Sequence, residues 1–365
     1  MSLRRKQVMI LVGDIGGTNT SLGLYKQGDT KNSLPVRVGD VKTYSSKKYS
    51  KSGLITMMED FLSQTTVKQT DIKVACFGVA GSVEQGSCKL SNLNWIITEK
   101  SLSEFLNQAP VVLLNDLEAM GYGVPILPTD NLKQINPDAK PDPANDKRPR
   151  AVIAAGTGLG EAGLLWKEEI QTFHPLPSEG GHADFAPCNK QQIKLLRYLL
   201  KREEFNEHVS YERVLSGPGL FNIYQSLRDK QKYGAGNSDT KNRLEQEDKK
   251  PEDTRDHAAI ISEIALTKKD LICEKALDEL MSIYGAEAGN LVLRYKALGG
   301  IYVAGNIALK NLEKLQDGTF MEAFKSKGRF QNFVSKVPIY VVLDTRVGLL
   351  GAAQRALNLI GFTSK

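Results

Sequence analysis

The sequence predicts an α/β protein with two related cores, each opened by a strand, a glycine-containing turn and a second strand. An apolar run at 8–12 leads into paired glycines and two threonines, and a second apolar run follows at 22–25. The same order of strand, Gly/Thr turn and strand returns at 151–166. Because duplicated supersecondary units reveal architecture, the repeat favours two α/β cores that face each other.

The other elements follow from apolar periodicity and from strands that stop in small or polar residues. Further strands are predicted at 36–43, 72–81, 111–114, 299–304 and 337–343, and the second hairpin continues to 178. Helices are predicted at 54–62, 117–122, 191–201, 211–215, 220–227, 274–296 and 347–360. The stretch 91–95 reads as a polar loop with an aromatic anchor, and the residues 216–219 as a break before the helix at 220.

A chain of 365 residues is long for one domain, and 41% hydrophobic with 25% charged residues is a globular composition. We therefore predict a small α/β domain at 1–116, completed by a C-terminal helix in 347–365, and a large one at 117–346. Two polar segments without periodicity, near 128–150 and 229–256, are predicted to be an exposed loop and a solvated insertion of the large domain.

Charge and cysteine content exclude several classes of protein. The net charge of +6 comes from lysines interleaved with acids, so no nucleic-acid surface is indicated. The four cysteines lack metal-ligand spacing and favour a reducing compartment. The apolar run after the basic N-terminal residues is shorter than the about 7–15 residues of a signal peptide, and no stretch reaches the about 18 of a membrane span. We therefore expect a cytoplasmic protein.

The turn at 14–19 is suited to hold a phosphate. Gly16 and Gly17 let successive backbone N–H groups approach an anion, Thr18 and Asn19 add polar side chains, and Asp14 places a carboxylate where Mg²⁺ would bind. Alone, this stretch also fits an ordinary Gly-rich hairpin with an exposed acid. Its recurrence at 156–158 favours the phosphate interpretation.

Three further motifs carry carboxylates, amides and an imidazole. Asn115-Asp116 ends a buried strand just before a helix, where an acid can also simply cap the helix. In Glu179-Gly180-Gly181-His182, two glycines form a tight turn that can present both outer side chains to one small ligand. The adjacent Glu212 and Arg213 are typical of a surface feature when they stand alone.

Taken together and in this order, the motifs resemble the bacterial-type glucokinases of the sugar kinase, actin and heat-shock ATPase superfamily, and the resemblance covers most of the chain. It implies two ribonuclease-H-like (actin-like ATPase) domains with mixed sheets and a cleft between them. It also implies ATP-dependent phosphorylation of D-glucose at the 6-hydroxyl, the first step of glycolysis, with Asp116 as general base. The expected cofactors are ATP and Mg²⁺.

The resemblance and the hydroxyl chemistry of a pyranose assign the site residues. The expected sugar ligands are Asn92, Asn115, Asp116, Glu179, His182 and Glu212. The expected nucleotide ligands are Asp14, Gly16, Gly17, Thr18, Asn19, Gly156, Thr157, Gly158, Gly305 and Asn306. Asp14 is also expected to hold Mg²⁺, directly or through water.

Alternatives remain open at the level of sequence. The chain could phosphorylate another hexose or an N-acylhexosamine, it could be a non-catalytic sugar sensor on the same fold, and the donor could be ADP or polyphosphate in place of ATP. The expected partners are glucose and ATP in a homodimer, with neither nucleic acid nor membrane.

Overall fold

The computed structural model describes residues 8–28, 34–140, 147–205, 207–231 and 233–361, except the side chains of Ser91 and Asp253. Parts of four predicted segments lie outside these residues: the basic N-terminus, 141–146 of the first polar segment, residue 232 of the second, and 362–365 of the C-terminal segment.

Runs of strands and runs of helices follow one another along the chain. The strands are β1 (Met9–Ile15), β2 (Asn19–Gln27), β3 (Pro35–Ser45), β4 (Ile72–Val79), β5 (Val83–Glu84), β6 (Ser87–Leu90), β7 (Trp95–Thr98), β8 (Val111–Asn115), β9 (Leu132–Gln134), β10 (Arg150–Ala155), β11 (Leu159–Lys167), β12 (Thr172–Ser178), β13 (Ile301–Ala304) and β14 (Ile339–Val342). The helices are α1 (Gly53–Ser63), α2 (Glu99–Phe105), α3 (Asp116–Gly123), α4 (Lys190–Leu199), α5 (Gly217–Asp229), α6 (Ser238–Asp248), α7 (His257–Leu266), α8 (Leu271–Tyr295), α9 (Asn306–Lys310), α10 (Leu312–Leu315), α11 (Thr319–Lys325), α12 (Gln331–Val334) and α13 (Val347–Leu359).

Two compact units divide the chain. Unit 1 comprises the described parts of 1–128, 164–177 and 344–365, and unit 2 those of 129–163 and 178–343. The sequence places its domain boundary at residue 116, whereas the contacts of this structure place 117–128 and 164–177 in unit 1 as well.

Unit 1 is built on a five-stranded mixed sheet in the order β3-β2-β1-β4-β8. β1 pairs antiparallel with β2 and parallel with β4, which in turn pairs parallel with β8. Apolar side chains alternate between the two faces of the central strands, so each face has its own core. One face packs against α1, and the other packs against α3 and α13.

The second mixed sheet has the order β12-β11-β10-β13-β14-β9, and β10, β13 and β14 are parallel. In unit 2 the buried helix α8 supports it, and the hydroxyl of Tyr284 on α8 donates to the carbonyl oxygen of Ala304 at 3.0 Å. The prediction of an α/β fold with mixed sheets is confirmed, and both predicted hairpins form.

Five local predictions are wrong. The helix predicted at 211–215 is a 3₁₀ turn, Tyr211–Arg213. The first polar segment contains β9, which pairs antiparallel with β14, and the second contains α6. The break before 220 is absent because α5 begins at Gly217, where Ser216 caps it and Pro218 lies in its first turn. Trp95 starts β7 of a three-stranded sheet, β5-β6-β7, rather than closing a loop.

Polar side chains that bond to backbone explain two of these errors. The buried Asn136 donates to the carbonyl oxygen of Val337 at 2.7 Å and accepts from the N–H of Ile339 at 2.8 Å, which ties the segment after β9 to the start of β14. Asn237 caps α6 by accepting from the N–H of Asp239 at 2.8 Å. The pattern of apolar residues does not predict such positions, because these side chains form hydrogen bonds with backbone groups instead of burying apolar surface.

Candidate active site

The parallel strands of unit 1 bring two carboxylates to one edge of the sheet. Asp14 in β1 lies opposite Gly78 in β4, and Val79 of β4 lies opposite Asn115 in β8. The carboxyl ends of three adjacent strands therefore lie side by side, with Asp116 directly after the third. Since neighbouring strands are about 4.8 Å apart, the backbones of the two aspartates are separated by about 10 Å.

The Asp14 carboxyl is electrostatically disfavoured where it lies. Solvent reaches the side chain, yet the protein around it removes much of its hydration. This desolvation, and secondly the nearby charge of Asp116, together raise the pKa of Asp14 to about 6. Two carboxylates that repel each other at a strand edge are a suitable place for a cation or for positioned acid–base chemistry.

The cap of α3 is Asn115 rather than Asp116. The Oδ1 atom of Asn115 accepts from the N–H of Leu117 at 3.0 Å, and its Nδ2 donates to the carbonyl oxygen of Gly81 at 3.2 Å. Asp116 is the first residue of the helix, is exposed, and accepts from the same N–H at 2.8 Å through Oδ1. The capping alternative therefore applies to the asparagine, and Asp116 still presents its carboxylate at the edge.

The turn at 14–19, which we call the first turn, is held by a buried serine that the sequence did not indicate. The Oγ of Ser46 donates to the carbonyl oxygen of Gly16 at 2.7 Å and contacts Thr20 Oγ1 at 2.9 Å, while its N–H donates to the carbonyl oxygen of Thr18 at 2.9 Å. Asn92 lies beside this turn, because a methyl group built on Gly17 would be 3.6 Å from its Nδ2.

The turn at 156–158, the second turn, is held by a carboxylate and by the start of a helix. The N–H of Leu159 donates to Glu212 Oε2 at 3.0 Å. A methyl group on Gly158 would lie 2.6 Å from that oxygen, so a larger residue here would displace the Glu212 carboxylate. The N–H of Gly217, the first residue of α5, donates to the carbonyl oxygen of Gly156 at 2.8 Å.

The 179–182 turn packs directly against the residue that follows the second turn. Gly180–His182 is a 3₁₀ turn in which the N–H of His182 donates to the carbonyl oxygen of Glu179 at 2.9 Å. A methyl group on Gly181 would lie only 2.1 Å from the carbonyl oxygen of Leu159. The side chains of Glu179 and His182 are both exposed.

The turn after β13 lies next to the second turn. Ala154 of β10 pairs with Ala304 of β13 in parallel, so the two strands end together. Gly305 has φ +88°, and a methyl group on it would lie 2.3 Å from the carbonyl oxygen of Ala155, so both conformation and space require glycine. Asn306 starts α9 with an exposed side chain.

Each unit therefore gathers its own share of the predicted site residues. Unit 1 holds Asp14, Gly16, Gly17, Thr18, Asn19, Asn92, Asn115 and Asp116. Unit 2 holds Gly156, Thr157, Gly158, Glu179, His182, Glu212, Gly305 and Asn306. Sequence reasoning missed Ser46, whose hydroxyl is 30 residues from the carbonyl that it binds, and the buried Glu161, which lies in a strand with no motif of its own.

The described residues contain no group of three or more His, Cys, Asp or Glu side chains arranged to hold a metal ion. Among the described helices, none combines the length and the apolar character that a membrane crossing requires.

The fold and the two turns define the class of protein: a sugar kinase with the actin-like ATPase fold, which is the class of its structural neighbours. The model of the Glucokinase family matches residues 11–359. The chain therefore belongs to the glucokinase family and is a sugar-phosphorylating enzyme.

Individual relatives agree with this assignment. The glucokinase of Nostoc punctiforme is 37% identical over 354 residues, which cover 96% of this chain and 99% of that protein. The crystal structure of a glucokinase from an Antarctic psychrotroph has a TM-score of 0.77 at 29% identity and covers 96% of this chain and 99% of its own. A ROK family glucokinase from Streptomyces griseus, in complex with glucose and AMPPNP, has a TM-score of 0.58 at 17% identity, with 96% and 99% covered, and so shares the fold.

Proposed function

We propose that the protein transfers the γ-phosphoryl group of ATP to the 6-hydroxyl of D-glucose, with Asp116 as general base. The observation that carries this proposal is the pair of carboxylates at one sheet edge of unit 1, Asp14 and Asp116, in a chain of the glucokinase family. The Streptomyces griseus neighbour is in complex with glucose and AMPPNP, which supports a sugar and a nucleotide as the two ligands.

Asp116 would act as the base. As the 6-oxygen of the sugar attacks the γ-phosphorus, its proton passes to the Asp116 carboxylate. The new O–P bond forms while the bond between the γ-phosphorus and the bridging oxygen of ADP breaks, and ADP leaves. Such a reaction depends on positioning and charge stabilisation more than on covalent chemistry. A base at the end of a buried strand, on a capped helix, is well positioned for this.

The residues of unit 1 fit a magnesium ion. Mg²⁺ is usually bound through one or two carboxylates together with substrate phosphates and water. Asp14 fits this requirement because desolvation and Asp116 raise its pKa, a penalty that a bound cation would relieve. When bound, the ion would neutralise developing charge on the phosphates. The glycines and side chains of the first turn would hold those phosphates beside Asp14.

The other proposed contacts are to the nucleotide and to the sugar. The second turn, together with Gly305 and Asn306, would hold the nucleotide. The sugar hydroxyls would be bound by Asn92, Asn115, Glu179, His182 and Glu212. We also propose that the enzyme acts as a cytoplasmic homodimer in the first step of glycolysis, as the sequence predicts.

The test is an assay of sugar phosphate formation over a panel of hexoses and N-acylhexosamines, with ATP, ADP and polyphosphate as donors, with and without Mg²⁺. We expect glucose with ATP and Mg²⁺ to give the highest kcat/KM and the product to carry phosphate on the 6-oxygen. A higher kcat/KM for another sugar or donor would reassign the substrate. Binding of glucose without product from any donor would make the protein a sensor.

A further inference from the structure

A buried cluster of charged groups lies behind the two turns to which we assign sugar contacts in unit 2. Glu161, in β11, has 1% of its surface exposed, and Glu287, on α8, has none. Arg294 on α8 lies between them, 3.6 Å from Glu161 Oε2 and 2.5 Å from Glu287 Oε1. Burying two carboxylates that share one guanidinium lowers the stability of the folded protein. The cluster is therefore expected to have a role other than stability.

Glu161 touches the 179–182 turn directly. A methyl group built on Gly180 would lie 2.3 Å from Glu161 Oε2, so the carboxyl lies against the backbone of that turn. Glu161 is also two residues after Leu159, whose N–H binds Glu212 and whose carbonyl oxygen contacts Gly181. A displacement of Glu161 would therefore reach the turn from two sides.

Glu287 links the same cluster to the Tyr211–Arg213 turn, which carries Glu212. Asn290 donates through Nδ2 to Glu287 Oε2 at 2.8 Å and to the hydroxyl of Tyr211 at 3.3 Å. Lys327 also belongs to this network, because it donates to Asn290 Oδ1 at 2.7 Å. Desolvation raises the pKa of Tyr211 above its usual range, and the charge of Glu287 raises it further.

We propose that Glu161 is a positioning residue that holds the 179–182 turn and the Tyr211–Arg213 turn in one relative geometry. When Glu161 is protonated, it supports the binding of sugar by these two turns. When Glu161 is ionised, sugar binding is weaker. The proposal rests on the proposed function, because it assigns sugar contacts to Glu179, His182 and Glu212.

The protonation state of Glu161 follows from its surroundings. Desolvation, and then the charge of Glu287, raise the pKa of Glu161 to about 8, and Arg294 opposes them. The other titratable group beside it is Tyr284 of α8, whose hydroxyl donates to the carbonyl oxygen of Ala304 at 3.0 Å. Among the described residues, Glu161 Oε1 has no hydrogen-bond partner. Ionisation would therefore place a charge against Gly180 that is opposed by Arg294 at 3.6 Å, while the same guanidinium pairs more closely with Glu287.

The experiment compares the KM for glucose from about pH 6.5 to about pH 9.5 in the wild type and in Glu161→Gln, which keeps the shape of the neutral carboxyl. In the wild type we expect KM to rise at least about fivefold above pH 8, because charge on Glu161 would displace the 179–182 turn against which it lies, and a displaced sugar hydrogen bond costs about 1 kcal/mol or more. In Glu161→Gln that rise should be absent. Glucose-induced shifts of Tm, measured at the same pH values, report binding without turnover.

Two further variants separate this role from general destabilisation. Glu247 is also buried in unit 2 but pairs with Lys250, so Glu247→Gln should follow the wild-type curve. Glu287→Gln removes the like charge beside Glu161 and should move the rise in KM to lower pH. Glu287→Gln tests the proposal independently. The proposal therefore remains testable if Glu161→Gln fails to fold.

The outcomes are distinguishable. A wild type that shows neither saturation by glucose nor a glucose-induced shift of Tm would overturn the proposed function together with this inference. A wild type that binds glucose while Glu161→Gln keeps the same rise of KM with pH would overturn the inference alone. So would a Glu247→Gln variant that loses the rise as completely as Glu161→Gln does.

Discussion

The first turn in unit 1 and the second turn in unit 2 follow the same pattern of strand, Gly/Thr turn and strand, but different groups hold them. Neutral groups of Ser46 and Thr20 hold the first, and they leave the Asp14 carboxylate available. The Glu212 carboxylate and the N–H of Gly217 hold the second. The two turns have similar sequences, but their carboxylates differ. The Asp14 carboxylate of the first turn is available to a ligand, whereas the Glu212 carboxylate at the second turn already accepts a hydrogen bond from the protein backbone.

This difference suggests a division of labour. Asp14 and Asp116 would provide the negative charges that act on the reacting atoms, and Leu159 would connect the nucleotide contacts of unit 2 to its sugar contacts. Substitution of Asp116 should then change kcat most, and substitutions that loosen either turn should change KM values.

The largest effect is expected at the end of β8. Asp116→Asn keeps the shape of the side chain but cannot accept the proton of the sugar hydroxyl, so kcat should fall by about 10²–10⁴-fold, while the KM for glucose changes little. Because Asn115 is the cap of α3, Tm should stay close to that of the wild type. Asp40→Asn, which changes an exposed carboxylate on β3, is the matched control. Turnover of Asp116→Asn near the wild-type value would end the case for a base at this position.

The second effect concerns pH and Asp14. With its pKa raised to about 6, the free enzyme should lose kcat/KM for MgATP by about tenfold per pH unit below that value, because the ionised form binds the ion. The pKa of Asp14 is higher in the folded protein than in the unfolded chain, so the free energy of unfolding falls as pH rises from the unfolded-state pKa to about 6. Above pH 6 the free energy of unfolding stays at this lower level. Asp14→Asn should therefore raise Tm above pH 6 although it lowers activity. A thermal-shift series from acid to neutral pH, combined with initial rates, tests both statements; a lower Tm at pH 7 would contradict the second.

The third effect compares two glutamates of the proposed sugar set. Glu179→Gln should raise the KM for glucose by about 5–100-fold, since an unpaired polar contact costs about 1–3 kcal/mol, and should leave the KM for ATP unchanged. Glu212→Gln should raise both constants, because Glu212 also accepts from the N–H of Leu159 beside the second turn. Equal and purely glucose-specific effects in the two variants would mean that the second turn does not connect the two ligands.

Much of the fold can be predicted because its central strands bury long apolar runs. The hairpins at β1–β2 and β10–β11, the strand before Asp116 and the long helix α8 all carry strong periodicity. Short elements could not be predicted in this way. β9 has three residues and depends on an existing sheet edge, and α6 is stabilised by polar capping and by a few buried contacts such as Leu244.

The residues of the candidate active site could likewise be predicted only in part from the sequence. Motifs with a fixed order, such as 14–19 and 179–182, are visible because the chemistry lies within a few neighbouring residues. Ser46 and Glu161 act on turns that are 30 and 19 residues away in sequence, and a lone serine or glutamate carries no signal of such a contact. Only the folded backbone shows that Glu161 reaches Gly180.

The smallest effect, and the sharpest test of the contrast between the two turns, compares two buried serines. Ser46 Oγ donates to the carbonyl oxygen of Gly16 at 2.7 Å, whereas Ser216 Oγ donates to the carbonyl oxygen of Glu212 at 2.7 Å and accepts from the N–H of Gly219 at 3.0 Å. Each alanine substitution removes about 1 kcal/mol of hydrogen bonding, so Tm should fall by about 2–4 °C in both.

The kinetic constants of these two variants should differ even though the losses of stability are similar. Ser46→Ala frees only the first turn and should raise the KM for ATP severalfold, with the KM for glucose unchanged. Ser216→Ala loosens the cap of α5 and the backbone of Glu212 together, so both KM values should rise. Steady-state kinetics with each substrate varied at saturation of the other measure this directly. If Ser216→Ala changed the KM for ATP alone, as Ser46→Ala is expected to do, the two turns would act alike and unit 2 would not couple nucleotide to sugar.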